Sequence, residues 1–384
     1  MSGGASGGAS GGASGGASGG ASGGASGGAS GGASGGASGG ASGGASGGAS
    51  NSVVYADALI LSRAAIVGPF TGASLHVSEP PFDKPANLAL WADGPRLEAC
   101  FTELVEGLLF KTRSGPKEAA LEFANLLANN IQRKPLVRLR APSKAQFRKQ
   151  LDLVAAYADL RADRAAEIVA EMGPPIEFWS SMVGLTAHRH KKTLQLIDLV
   201  FSLCIHVEMR FKHIFASIRP VAFSPQIQPM IPTPGHGSWP SGHATEAFAV
   251  AVLLEALLDA ASPEGATPPN GTASHEQLQR LAARIATNRV VAGVHFPVDS
   301  AAGRLLGTAL AEFLVARATG TKVHERGFDG RLFEGPHGEP LDFSLHQSMN
   351  HTHGHAYTRS AGTTGVGNAP LLAWLWEEAL KEWA

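Results

Sequence analysis

Residues 194–220 read LQLIDLVFSLCIHVEMRFKHIFASIRP. From Leu194 to Phe211 the segment is apolar on most sides, with Gln195, Asp198 and Ser202 as a narrow polar stripe. That pattern predicts a central, largely buried helix. Lys212 falls at its C-terminal end, where a cation suits the helix dipole. Pro220 ends the segment, directly after Arg219. Two further stretches extend this beginning: Pro240-Ser241-Gly242-His243, and Arg289 with His295 and Asp299. Together they supply three cations, a serine and two histidines, the inventory for holding a tetrahedral oxyanion and moving protons at its apex.

The same helical period dominates the rest of the chain, and no run of alternating strand residues stands out. Helices are predicted at 53–67, 95–110, 116–133, 143–172, 190–215, 242–260, 274–292, 297–317 and 369–382, so the predicted fold class is all-α. Pro174-Pro175, the Pro-rich stretch 220–240 and residues 262–271 punctuate them. Residues 2–49 repeat Ser-Gly-Gly-Ala twelve times, a tract with nothing to pack, and 1–50 reads as a flexible linker outside the fold. The expected organisation is supporting helices over 51–180, a catalytic core over 181–320, and an irregular His- and Gly-rich segment with a final helix over 321–384.

The 384 residues carry 31 basic and 32 acidic side chains, a formal charge of -1. No global field favours nucleic acid or an anionic membrane, so any anion specificity must be local. The most apolar helices are interrupted by charges such as Asp198, Glu208, Glu255, Arg304 and Glu312, which argues for a soluble protein without a membrane span. Whether the chain is cytoplasmic or exported is left open. Cys100 and Cys204, far apart in helical surroundings, read as two buried free thiols.

Leu278, Leu281 and Ile285 form a core stripe, and a further step of four reaches Arg289. A buried arginine must meet an anion, either a carboxylate of the protein or a ligand. Asp299 begins a second inward stripe with Gly303, Leu306, Leu310 and Phe313, and Gly303 leaves room for a neighbouring helix. His295 lies in the corner between the two helices. Asp299, four residues on, is placed to fix its tautomer and leave the other ring nitrogen free as nucleophile or ligand. Ser241-Gly242-His243 opens a helix whose free N–H groups attract an oxyanion; an ordinary N-cap is the plainer reading.

Lys212-x6-Arg219-Pro220, Pro240-Ser241-Gly242-His243 and Arg289-x5-His295-x3-Asp299 together resemble the signature of the type-2 phosphatidic acid phosphatase superfamily. That superfamily includes bacterial acid phosphatases, membrane lipid phosphatases and vanadium-dependent haloperoxidases. The resemblance implies a multi-helix bundle in which His295 bonds the central atom, phosphorus or vanadium. It further implies that Lys212, Arg219 and Arg289 neutralise the oxygens, that Ser241 and the Gly242 amide donate to them, that His243 is the acid-base group, and that Asp299 orients His295. Asn288 departs from the serine that phosphatases carry before the arginine, and Ala244-Thr245 follows the motif as in haloperoxidases.

Within that superfamily the sequence resembles the haloperoxidase branch. The implied cofactor is vanadate, with hydrogen peroxide, a halide (bromide favoured) and a small organic molecule as substrates. His236, seven residues before His243, matches a second active-site histidine of algal-type bromoperoxidases, and Trp239 is a candidate wall of the halide or substrate pocket or a residue packed beneath its loop. Met209, where haloperoxidases often have Trp or Arg, leaves the halide open. The alternatives are a phosphomonoesterase with a phosphohistidine at His295, and a non-catalytic anion-binding protein, against which an intact His243 argues. A homodimer or larger assembly is also implied. His346, His351, His353 and His355 form a separate cluster, read as an exposed, adventitious metal site at most.

Overall fold

A computed structural model of the chain describes residues 53–72, 78–115, 117–125, 131–262 and 271–383; the repeat at 2–49 lies outside them. In chain order the helices are α1 (Val53–Ile66), α2 (Asp93–Val105), α3 (Lys144–Lys149), α4 (Leu151–Tyr157), α5 (Arg161–Ala170), α6 (Ile176–Val183), α7 (Lys191–Phe215), α8 (Pro220–Phe223), α9 (Gly242–Ala261), α10 (Gly271–Val291), α11 (Pro297–Thr319) and α12 (Pro370–Leu380). Five strands join them: β1 (Leu108–Arg113), β2 (Glu118–Ala124), β3 (Arg133–Arg140), β4 (Lys322–Asp329) and β5 (Tyr357–Gly365).

The strands form one mixed sheet in the order β1-β2-β3-β4-β5, antiparallel except where β3 and β4 run parallel with Val137 opposite Arg326. The protein is therefore mixed α/β, which overturns the all-α expectation. The physical reason is visible strand by strand. β2, EAALEFA, is buried at every position, so it has no polar face and no period of two. Its Ala, Leu and Glu favour helix locally, and tertiary pairing overrides that preference. In β3, Pro135 would argue against a central strand; it pairs with Glu122 where the register shifts, at a bulge. β4 and β5 lie inside 320–368, expected to be irregular, and β5 is rich in Gly and Thr with exposed positions.

The helical core follows the expected pattern. α7 buries Leu196, Leu199, Val200, Leu203, Val207 and Phe211. α9 packs against α7, α10 and α11. The close approach of α9 and α11 depends on glycine: a Cβ on Gly303 would stand 2.7 Å from both Ala244 Cβ and Ser241 O. The start of α7 is held by the C-terminal segment. Glu382 accepts from the amides of Lys192 (2.7 Å) and Thr193 (2.8 Å), satisfying free donors of the first turn. His190, the residue before α7, is buried, its ring 4.7 Å from that of Trp383.

No helix of the described residues is long and apolar enough to cross a membrane. Cys100 and Cys204 are both buried and unpaired in a disulfide.

Candidate active site

The site gathers where the ends of α7 and α10, the start of α9 and the start of α11 meet. Lys212 is 2% exposed, and its Nζ donates to Pro240 O (2.5 Å), with Gly237 O (3.4 Å) and Ser238 O (3.5 Å) nearby. Those carbonyls belong to the loop leading into α9. The helix itself begins at Gly242, with Ser241 as N-cap accepting from Ala244 N at 3.4 Å. The Ser241 amide in turn donates to Asp299 O at 3.0 Å, which ties the loop to the first turn of α11.

His295 and Asp299 form the pair expected from their spacing. His295 Nδ1 lies 2.9 Å from Asp299 Oδ2, and Nε2 lies 2.9 Å from Arg219 Nη1. A guanidinium can only donate, so Nε2 presents a lone pair and the ring proton sits on Nδ1. Asp299 also accepts from Ser238 Oγ (2.5 Å) and Phe296 N (3.0 Å), while its Oδ1 has no partner among the described residues. Burial pushes the Asp299 carboxyl up to about 6 against these hydrogen bonds. Burial, and then the nearby Arg219, hold His295 well below the ordinary histidine range.

The other two helices meet at Glu171, just past the end of α5. Its carboxylate accepts from Arg289 Nη2 (2.5 Å) and Asn288 Nδ2 (2.8 Å), and its backbone oxygen lies 2.9 Å from His243 Nε2. The buried ion pair considered for Arg289 is thus present, both side chains being 1% exposed. It does not satisfy the arginine: Nε and Nη1 are buried with no partner among the described residues. Orphaned guanidinium donors of this kind call for an anion. Burial and the positive Arg289 push His243 down to about 3, so its ring is neutral at neutral pH. Lys212, Arg219 and Arg289 are each lowered by burial.

Eight predicted residues therefore converge: Lys212, Arg219, Ser241, Gly242, His243, Arg289, His295 and Asp299. His236 sits at the exposed edge, Nδ1 3.3 Å from Arg219 Nη2. Trp239 is fully buried beneath the loop, edge-on to Phe215 at 4.6 Å and 6.5 Å from the ring of Phe328 on β4. That is the packing role, not a pocket wall. The other histidines lie elsewhere: His351 and His355 stack at 3.6 Å, and no group of three or more His, Cys, Asp or Glu among the described residues could hold a metal ion. Sequence reasoning missed Ser238, Glu171 and Glu208. Ser238 at least lay three residues before a flagged serine; Glu171 and Glu208 are single carboxylates in helical segments, with no signal of their own.

Residues 195–320 match the family model described as PAP2 superfamily. Over 119 residues the chain is 30% identical to a vanadium-dependent bromoperoxidase of Ascophyllum nodosum, covering 27% of this chain and 21% of that protein. The chain thus spans about a fifth of the length of that relative. Among solved structures, a transmembrane PAP2-type phosphatidylglycerolphosphate phosphatase from Bacillus subtilis matches 42% of this chain and 89% of its own. It does so at 20% identity and a TM-score of 0.27, too low to establish a shared fold.

Proposed function

We propose that the protein is a vanadate-dependent haloperoxidase, oxidising a halide, bromide in the first place, with hydrogen peroxide to halogenate small organic molecules. The observation that carries this reading is His295: one ring nitrogen is fixed on Asp299, and the other presents a lone pair among three buried cations. Neutral imidazole is a suitable vanadium ligand, and the unpartnered Nε and Nη1 of Arg289 suit the oxygens of a tetrahedral oxyanion. The residues present therefore fit vanadate. His295 would hold it, with Arg219 turned from Nε2 onto an oxygen, while Lys212, Arg289, Ser241 and the Gly242 amide take the remaining oxygens. Bound vanadium would supply a Lewis acid that activates peroxide without changing its oxidation state.

The chain's own part in catalysis is electrostatic and protonic. Lys212, Arg219 and Arg289 balance negative charge where water is excluded, which makes each contact stronger than in solvent. His243, neutral in the free protein, donates from Nε2 to Glu171 O, so its free Nδ1 would accept a proton from an oxygen of the bound anion or from peroxide and return it later. Asp299 would hold the His295 tautomer throughout. Ala244-Thr245, Asn288 and the bromoperoxidase similarity favour this branch.

A phosphomonoesterase is the second reading, favoured by the same lone pair on His295, which is equally placed to attack phosphorus. The deciding experiment is a paired assay on desalted protein: bromination of a dione indicator with bromide and peroxide, and hydrolysis of a nitrophenyl phosphate. Bromination that needs added orthovanadate and is suppressed by excess phosphate supports the haloperoxidase. Ester hydrolysis inhibited by vanadate, without bromination, would replace it by the phosphatase.

A further inference from the structure

Two carboxylic acids beside the oxyanion pocket have no place in the scheme above. Glu208 stands one turn before Lys212 on α7, and Glu246 one turn after Gly242 on α9. Glu208 is 2% exposed, and its Oε2 has no hydrogen-bond partner among the described residues. A Cβ added to Gly242 would lie 2.6 Å from Glu208 Oε1, so the carboxyl fills the space that a side chain at Gly242 would take. Lys212 meets the same loop from the other side, on the carbonyls of Gly237, Ser238 and Pro240. Lysine and glutamate thus bracket Pro240-Ser241-Gly242. A buried, unpartnered carboxyl is costly, and its position calls for a reason.

We propose that Glu208 is a positioning residue for the oxyanion pocket: lodged against Gly242 one helical turn from Lys212, it keeps that lysine charged. The inference rests on the reading of the site as an oxyanion pocket. A lysine in such surroundings sheds its proton unless a negative charge stands near, because burial disfavours the ammonium. Burial lowers Lys212, and Glu208 is the foremost group opposing it. The other groups facing Lys212 do not serve. Arg219 repels it, and His236, His243 and His295 are each held below the ordinary histidine range. Asp299 is engaged by His295, Ser238 and the Phe296 amide. Burial, and then Glu208, raise Glu246; burial raises Glu208 too, but Lys212 and then Arg219 oppose that rise and favour its charged form.

The test uses tungstate, an oxyanion whose charge stays constant over roughly pH 6.5 to 9, where Lys212 changes its own. Affinity for the wild-type protein should fall on the alkaline side as Lys212 deprotonates. In E208Q that fall should move to lower pH by about one unit, giving roughly ten-fold weaker binding near pH 8. E246Q, which mimics the protonated acid, should leave the limb in place. An E208Q limb that coincides with the wild type in a folded variant would overturn the proposal. If wild-type protein binds no tungstate at any pH, the reading of the site falls and the inference with it. Should E208Q fail to fold, carbon NMR of labelled wild-type protein answers the same question: the proposal requires the Lys212 Cε and Glu208 carboxyl signals to titrate together, and independent titration contradicts it.

Discussion

Buried charge is handled differently in the sheet and in the helical core. Glu118 on β2 is 1% exposed at its side chain, and it takes Arg140 Nε at 2.5 Å and Arg138 Nη1 at 2.9 Å. Arg138 adds Glu325, Arg140 adds Asp329, and Arg326 pairs with Glu312 at 2.6 Å. Charges there answer one another across neighbouring strands or, for Arg326, on helix α11. In the core, Arg289 keeps two orphaned nitrogens, Asp299 and Glu208 each keep an orphaned oxygen, and Lys212 finds carbonyls only. Orphaned atoms occur in the sheet as well, at Arg326 Nη1 and Arg359 Nε. Those of Arg289, Asp299 and Glu208 in the core, however, gather with Lys212 around one pocket, which marks that layer as the place for a ligand. The sheet serves that layer as a backing, through Phe328 and Trp239 beneath the loop.

The sharpest way to separate the two regions is substitution at matched depth. His295→Ala should lower vanadate-dependent bromination by about 1000-fold or more while the fold persists, checked by turnover and thermal unfolding. Arg289→Ala should weaken oxyanion binding and also leave Glu171 buried without its partner, a loss of about 3–5 kcal/mol in chemical denaturation. Leu139→Ala, in the sheet, should cost a similar 2–5 kcal/mol by opening a cavity, yet leave oxyanion affinity of the folded protein unchanged. Glu118→Gln should be milder, about 1–3 kcal/mol, because Arg138 and Arg140 are more than a third exposed at their side chains and can turn to water. If Leu139→Ala or Glu118→Gln altered affinity as much as Arg289→Ala, the division between the regions would be lost.

Acid sharpens the same contrast more gently. His243 and His295 ionise in the folded protein below their unfolded value near 6.5. The unfolded chain then binds more protons, so their contribution is present above about pH 6.5 and declines as pH falls toward about 3. Asp299, raised to about 6, works the other way: its folded form holds a proton that the unfolded carboxyl releases from about 4 upward. The two histidines thus supply a decline as pH falls from about 6.5 to 4, which Asp299 opposes together with Asp198, Glu208 and Glu246, carboxyls that burial also raises. Replacing His243 by Asn should flatten that decline; an unaltered slope would remove His243 as its source.

How much of this was legible in the sequence differs between the same two regions. The stripes through Leu278, Ile285 and Arg289, and through Asp299, Gly303 and Phe313, point inward at helical spacing because one face of each helix is core. The sheet hid itself because β2 is covered on both faces and β5 is short of apolar residues, so neither shows alternation. Partners such as Glu171, which reaches Arg289 from 118 positions away, are set by tertiary packing alone. No periodicity could have named it.

The most direct test of the central claim is calorimetric titration of orthovanadate into desalted wild-type protein, with folded His295→Ala alongside. One equivalent bound by the wild type, displaced by phosphate and lost in His295→Ala, is the predicted result. Wild-type protein that binds no vanadate, or a variant that binds it undiminished, would contradict the assignment of His295 as the residue that holds the oxyanion.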